Sequence, residues 1–255
     1  MTPLLATEAL TMRFGGVLAV DHVSLSIDEG ELRCLIGPNG AGKSTFFKCL
    51  TGQYRPTSGR ILWRGKDVTA FAPFALARLG IGIKTQVPSL FEGLSVMESV
   101  VLAVRRKHGE AYARSRASAA LEQLGIAHLA DHSVGLLAHG QRQLVELAMV
   151  IAPEPDLIIL DEPTAGMSVE ETRNIANLIR HLNHRHAIIV VEHDMQFIRS
   201  IANTVTVFHQ GRVLIEDRVE RVLADPRVLD VYLGKPLVEV LSATSPQCTA
   251  GVVPT

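Results

Sequence analysis

Apolar alternations over residues 4–14 and 17–27, broken by Gly15-Gly16, predict an antiparallel strand pair. A turn at Asp28-Glu29-Gly30-Glu31 leads into a short apolar run at 32–36, expected as a buried strand, and a helix follows from Lys43 to Leu50. Breakers at 54–59 mark a loop, residues 60–63 a short strand, Gly65-Lys66-Asp67 another turn, 72–79 a short helix and 81–85 a strand. Pro88 prevents regular continuation, so residues 86–91 read as a hinge. Two helices are expected at 95–108 and 110–124. Ser95 and Glu98 form a capping box for the first, and Ala113, Ala117, Ala120, Leu121 and Leu124 lie on one side of the second. No convincing strand occurs between Gln86 and Gln143, which predicts a helical insertion at about 87–145.

A further helix opens at 137–143, carries Leu144, Leu147, Ala148 and Ile151 at helical spacing, and stops at Pro153 and Pro155. The continuous apolar run 157–160 has the character of a parallel strand covered on both faces. Asp161 and Glu162 stand at its C-terminal end, where open α/β sheets bind ligands. Ser168 and Glu171 cap a helix carrying Ile175, Leu178, Ile179 and Leu182, and residues 187–191 form another buried strand ending in Glu192-His193-Asp194. A short helix, a hairpin of 205–208 with 213–215 and two short helices complete the pattern near residue 234. The Pro-, Ser- and Thr-containing stretch 235–255 is expected to be a flexible tail. The fold class is therefore α/β, with a mostly parallel central sheet, an antiparallel β portion and an inserted α-helical portion, in one domain spanning 1–234.

At 255 residues the chain can bury a substantial core, and its net charge of −1 advertises no nucleic-acid or polyanion partner. Three scattered cysteines, Cys34, Cys49 and Cys248, have no metal spacing and suggest a reducing compartment, with Cys34 and Cys49 as small core residues. No signal peptide is evident, and no apolar run is long enough to span a bilayer, so any membrane role is expected to be peripheral. His181, His184 and His186 resemble a metal tract, but a solvated surface is the expected reading.

Gly37-Pro38-Asn39-Gly40-Ala41-Gly42-Lys43-Ser44-Thr45 fits the nucleotide phosphate-binding pattern G-x-x-x-x-G-K-[ST], between a strand and a helix. Glycines 37, 40 and 42 let the backbone turn tightly and aim successive N–H groups at phosphate oxygens. The helix start adds unpaired N–H groups and its positive dipole end. Lys43 adds a point charge, and Ser44 a hydroxyl for Mg2+. Upstream, Phe14 can either pack in the sheet or stack on a purine.

Six markers in order now carry a family resemblance: Phe14, the phosphate loop, Gln86, Leu137-Ala138-His139-Gly140-Gln141, the LIILDEP stretch at 157–163 and His193. The chain resembles the nucleotide-binding subunit of an ABC transporter. RFGG at 13–16, EPTAGMS at 162–168, EHDM at 192–195 and VYLG at 231–234 are similar to the branch serving branched-chain amino acid, urea or short-chain amide uptake. The resemblance implies ATP and Mg2+ as ligands. Ser44, Gln86 and Asp161 would hold the metal, Glu162 would be the general base, and Gln86 and His193 would orient water and γ-phosphate. Phe14 and residues 37–45 would bind the nucleotide from one subunit, and Ala138, His139, Gly140 and Gln141 would complete it from the other. The family usually has Leu-Ser-Gly-Gly-Gln at 137–141, so the serine hydroxyl is missing here, while Gly140 and the helix N-terminus still offer N–H donors. Ser168 stands where the family usually has aspartate and reads equally well as a helix cap.

The implied partners are a second ABC ATPase subunit, identical or related, transmembrane permease subunits and, indirectly, a periplasmic substrate-binding protein. The implied location is peripheral, at the cytoplasmic face of the inner or plasma membrane. A soluble ABC ATPase acting on macromolecular assembly or nucleic acid is the rival reading, but tandem cassettes, long coiled coils and basic extensions are lacking. A small-molecule kinase would not need residues 137–143 or His193.

Overall fold

The structure is a computed structural model that describes residues 2–85, 90–105 and 109–233. Gln86, most of the expected hinge at 86–91, Gly234 and the tail 235–255 lie outside the described residues.

Strands β1 (Leu5–Phe14) and β2 (Val17–Ile27) pair antiparallel, as the alternation predicts. β3 (Leu32–Ile36) and α1 (Lys43–Leu50) flank the glycine-rich stretch. β4 (Ser58–Trp63) starts earlier than expected. Gly59 has a φ of +85° and a side chain there would overlap the backbone of Glu8 and Ala9, so only glycine lets β4 lie against the irregular part of β1. The expected turn at 65–67 is corrected. Arg64 and Gly65 both have positive φ and make the turn, while Lys66–Asp67 form a short strand β5 paired with Leu62 and Trp63. These strands form one sheet in the order β2-β1-β4-β5.

After α2 (Pro73–Leu79) and β6 (Ile81–Lys84) come α3 (Val96–Arg105), α4 (Glu110–Gln123) and α5 (His139–Ile151). The capping box at Ser95 and Glu98 forms as expected, with Glu98 N–H donating to Ser95 Oγ at 3.1 Å and Ser95 N–H to Glu98 Oε2 at 2.8 Å. Two short 3-10 turns at Ala127–Leu129 and Val134–Leu136 escape the periodicity, because three residues carry too little pattern. Then follow β7 (Leu157–Asp161), α6 (Val169–Asn183), β8 (Ala187–Val191), α7 (Met195–Ile201), the hairpin β9 (Thr204–His209) and β10 (Arg212–Arg218), α8 (Val219–Ala224) and α9 (Pro226–Leu233).

The second sheet runs β10-β9-β3-β8-β7-β6, parallel throughout except for the β10 edge. Every residue of β3, β7 and β8 is buried, which explains why these strands are almost wholly apolar. Their side chains alternate between two cores. Leu32, Cys34, Ile36, Ile158, Leu160, Ile188 and Val190 face the helices, whereas Leu35, Leu157, Ile159, Ile189 and Val191 face α1 and the antiparallel sheet. The exception is Arg33, whose buried guanidinium is held by Glu31, Glu216 and Thr206. No helix among the described residues is long and apolar enough to cross a membrane.

Candidate functional site

Strand register gathers the candidate residues at one edge. Val191 of β8 lies opposite both Leu35 of β3 and Asp161 of β7, so the segments that follow all three strands emerge side by side. From β3 comes the phosphate loop. Gly37 (φ +151°) packs so closely on the Phe208 carbonyl that a Cβ would overlap it, and Gly42 (φ +101°) stands in the same relation to the Ala19 carbonyl. At α1, Gly42 is the N-cap and has no side chain to bond the first turn, leaving the N–H groups there for an anion. Ser44 is exposed in that first turn. Lys43 Nζ donates to the carbonyls of Gly37 (2.5 Å) and Pro38 (3.1 Å). Burial pushes this ammonium down, while the charges of Glu162 and then Asp161 pull it back up.

Asp161 is buried at the end of β7, and desolvation, followed by the charge of Glu162, pushes its carboxyl up to about 6. Glu162 adopts a left-handed backbone, φ +46°, held by its N–H to the Val191 carbonyl at 2.9 Å. Such strain in a charged residue is found where the surroundings dictate it. Its carboxylate lies 3.5 Å from His193 Nδ1, on the mostly exposed ring beyond β8. Glu192, fully buried, ties the two segments together: Oε1 accepts from Thr164 Oγ1 at 2.6 Å, and Oε2 accepts from His193 N–H at 3.0 Å. Thus Lys43, Asp161, Glu162 and His193 converge beyond the strand ends.

The stretch 137–141 lies elsewhere. Ala138 is the N-cap of α5, and its N–H donates to Gln141 Oε1 at 3.0 Å, but alanine has no oxygen to return the bond. His139 Nε2 lies 3.4 Å from the Ala165 carbonyl and 3.4 Å from Gln143 Nε2, and a side chain at Gly140 would press on Glu171. Among the described residues, no hydrogen bond joins 138–141 to 37–45. Ser168 is a helix cap, its hydroxyl accepting from Glu171 N–H at 3.3 Å. Phe14 ends β1 half exposed, edge-on to Tyr54 with ring centroids 5.4 Å apart, rather than packed inside the sheet. His181 and His184 are exposed, while His186 is half-buried with Nδ1 2.6 Å from the Pro155 carbonyl.

Four polar residues escaped the sequence reading. Besides Glu192, Lys84 and Glu146 form a buried pair, 3.5 Å apart, joining the end of β6 to α5. Tyr232 of α9 reaches Gly37. A lysine ending the apolar run 81–84 and a tyrosine in the VYLG stretch were the available signals. Away from the cluster, a groove of about 620 Å³ opens between α2, β6, α3 and α5, with Phe74, Phe91 and Leu102 exposed around it. The phosphate loop itself lies outside this groove.

Comparison with known proteins gives a consistent result. A family model described as ABC transporter matches residues 20–165. The high-affinity branched-chain amino acid transport ATP-binding protein LivG of Salmonella typhimurium is 36% identical over 251 residues, covering 91% of this chain and 98% of that protein. BraF of Pseudomonas aeruginosa, named for the same transport, is 35% identical with the same coverage. Among solved structures, an ATP-binding cassette of an ABC transporter in its ADP conformation superposes with a TM-score of 0.83 at 29% identity, covering 92% of this chain and all of that one. The cbiO1 subunit from Clostridium perfringens, described as part of a transporter complex, gives 0.81 at 32% identity, covering 95% of this chain and all of that one.

Proposed function

The chain belongs to the ABC transporter family, and from that premise we propose that it binds and hydrolyses ATP to power uptake of branched-chain amino acids or related small amides through separate permease subunits. The observation that carries this reading is the convergence of Lys43, Asp161, Glu162 and His193 beyond three adjacent parallel strands.

The phosphates would sit on the N–H groups of residues 40–45, with Lys43 turning from the Gly37 and Pro38 carbonyls toward their oxygens. Phe14, half exposed at the end of β1, would stack on the adenine. Mg2+ fits the donor set, since Ser44 and Asp161 offer hard oxygens and a cation would relieve the raised Asp161 carboxyl. When bound with the nucleotide, the metal would neutralise phosphate charge. Glu162 would take the proton of the attacking water. His193, held through its N–H by Glu192, would orient the γ-phosphate, and Gln86 would position the water.

The α5 N-terminus, with Ala138, His139, Gly140 and Gln141, serves a nucleotide held by a second cassette, identical or related, because in its own chain it faces residues 165–171. Gly140 and the first-turn N–H groups would contact that phosphate. The apolar groove by Phe74, Phe91 and Leu102 is the surface for an amphipathic permease segment, since it borders the strand leading to Gln86. On this reading the chain works peripherally at the cytoplasmic face of the membrane, with a periplasmic binding protein engaged only through the permease. Vesicles reconstituted with the permeases and both cassettes test the reading. ATP-driven leucine uptake that disappears with Lys43→Ala supports it. Uptake indifferent to that change refutes it.

A further inference from the structure

Tyr232 lies in the last described helix, 195 residues from the loop it touches. Its hydroxyl accepts a hydrogen bond from Gly37 N–H at 3.0 Å and donates one to the Gly37 carbonyl at 3.2 Å. That same carbonyl accepts from Lys43 Nζ at 2.5 Å. Gly37 has little room to turn toward other partners, because it lies so close to the Phe208 carbonyl that a Cβ would overlap it. The ring of Tyr232 packs against the helix-side core, so α9 holds the hydroxyl in place.

We infer that Tyr232 is a positioning residue for nucleotide binding: its hydroxyl fixes the first peptide of the phosphate loop and frees Lys43 to leave the Gly37 carbonyl for a phosphate. The physical reason is hydrogen-bond satisfaction. Gly37 is buried, and a buried carbonyl or N–H left without a partner carries a penalty. With Tyr232 in place, the Gly37 carbonyl keeps one donor after Lys43 departs. Without the hydroxyl, Lys43 is that carbonyl's remaining side-chain donor, and its departure is opposed. The last helix is thereby a strut for the phosphate loop. This inference rests on the ATP site proposed above.

The test uses the full chain and two variants, Tyr232→Phe and Lys43→Ala, with calorimetric titration of ATP and magnesium. Phenylalanine keeps the ring packing and removes only the hydroxyl. Tyr232→Phe is expected to weaken ATP binding about tenfold, the size of one unsatisfied buried backbone group. In the assembled transporter it should raise KM by a similar factor and leave kcat within about twofold. Hydrogen exchange should stay slow in α9 and quicken at Gly37. ATP binding within about twofold of wild type overturns the inference. So does weakened binding accompanied by lost protection across α9, which would mark Tyr232 as a packing residue only. Wild-type chain that binds ATP no better than Lys43→Ala would sink the site assignment itself, and this inference with it.

Discussion

Replacing Glu162 with glutamine separates binding from chemistry. The amide keeps the shape of the side chain and removes its charge and basicity. Loss of a general base costs about 10²–10⁴ in rate, or roughly 3–5 kcal/mol of barrier. Binding, by contrast, should survive the change. Asp161 is raised from 3.8 to about 6, firstly by burial and secondly by the Glu162 charge. A carboxyl that titrates near 6 is already mostly ionised at neutral pH, so removing the Glu162 charge should alter magnesium-ATP affinity through Asp161 by less than about twofold there. The assay is paired: phosphate release by the assembled transporter, and retention of labelled ATP by the same preparation. Turnover should fall at least a hundredfold while ATP retention holds or rises. Turnover within tenfold of wild type would remove Glu162 from the base role, and a clear fall in ATP affinity would refute the separation of binding from chemistry.

Titration of Asp161 gives two effects of opposite sign. The folded chain holds this proton more tightly than the unfolded chain, so its contribution to stability is complete below 3.8 and disappears as pH rises through about 6. Magnesium needs the ionised form, so the magnesium-dependent gain in ATP affinity should shrink about fourfold from pH 7.5 to 5.5, and a constant gain would contradict the assignment of Asp161. Ala138→Ser restores an oxygen that can accept from Gln141 N–H, and calorimetry should show Tm rising by about 2–4 °C. Unchanged Tm would mean the cap does not form. Lys84→Met removes the cation that faces the buried Glu146 carboxylate at 3.5 Å and should lower stability in urea unfolding by no more than about 3–5 kcal/mol, whereas adding Glu146→Leu should recover part of the loss. A double variant as unstable as the single one would show that the pair is not the source of the loss.

What the sequence made legible was local. The phosphate loop needs its residues contiguous, so Gly37 to Thr45 announce it. The strands of residues 157–160 and 187–191 were readable because burial on both faces demands uninterrupted apolar side chains. Lys66–Asp67 failed as a strand because its residues are polar, and the pairing is imposed by the two positive-φ residues before it. Buried polar groups were the larger loss. Lys84, Glu146 and Glu192 look like ordinary surface charges in a linear text, and only the packing of β6 against α5 and of residue 164 against β8 reveals them. The contact of Tyr232 with Gly37 could not be read from spacing at all. The meaning of residues 137–141 came from the family resemblance, while their position facing residues 165–171 came from the fold.

A nucleotide shared between two cassettes is the central requirement, and a structure of the Glu162→Gln chain with ATP, magnesium and its partner cassette is the decisive measurement. The expected result places the γ-phosphate against Lys43 of one subunit and within hydrogen-bond reach of the Gly140 N–H of the other. A nucleotide bound at Lys43 with the neighbouring residues 137–143 far from every phosphate would contradict it.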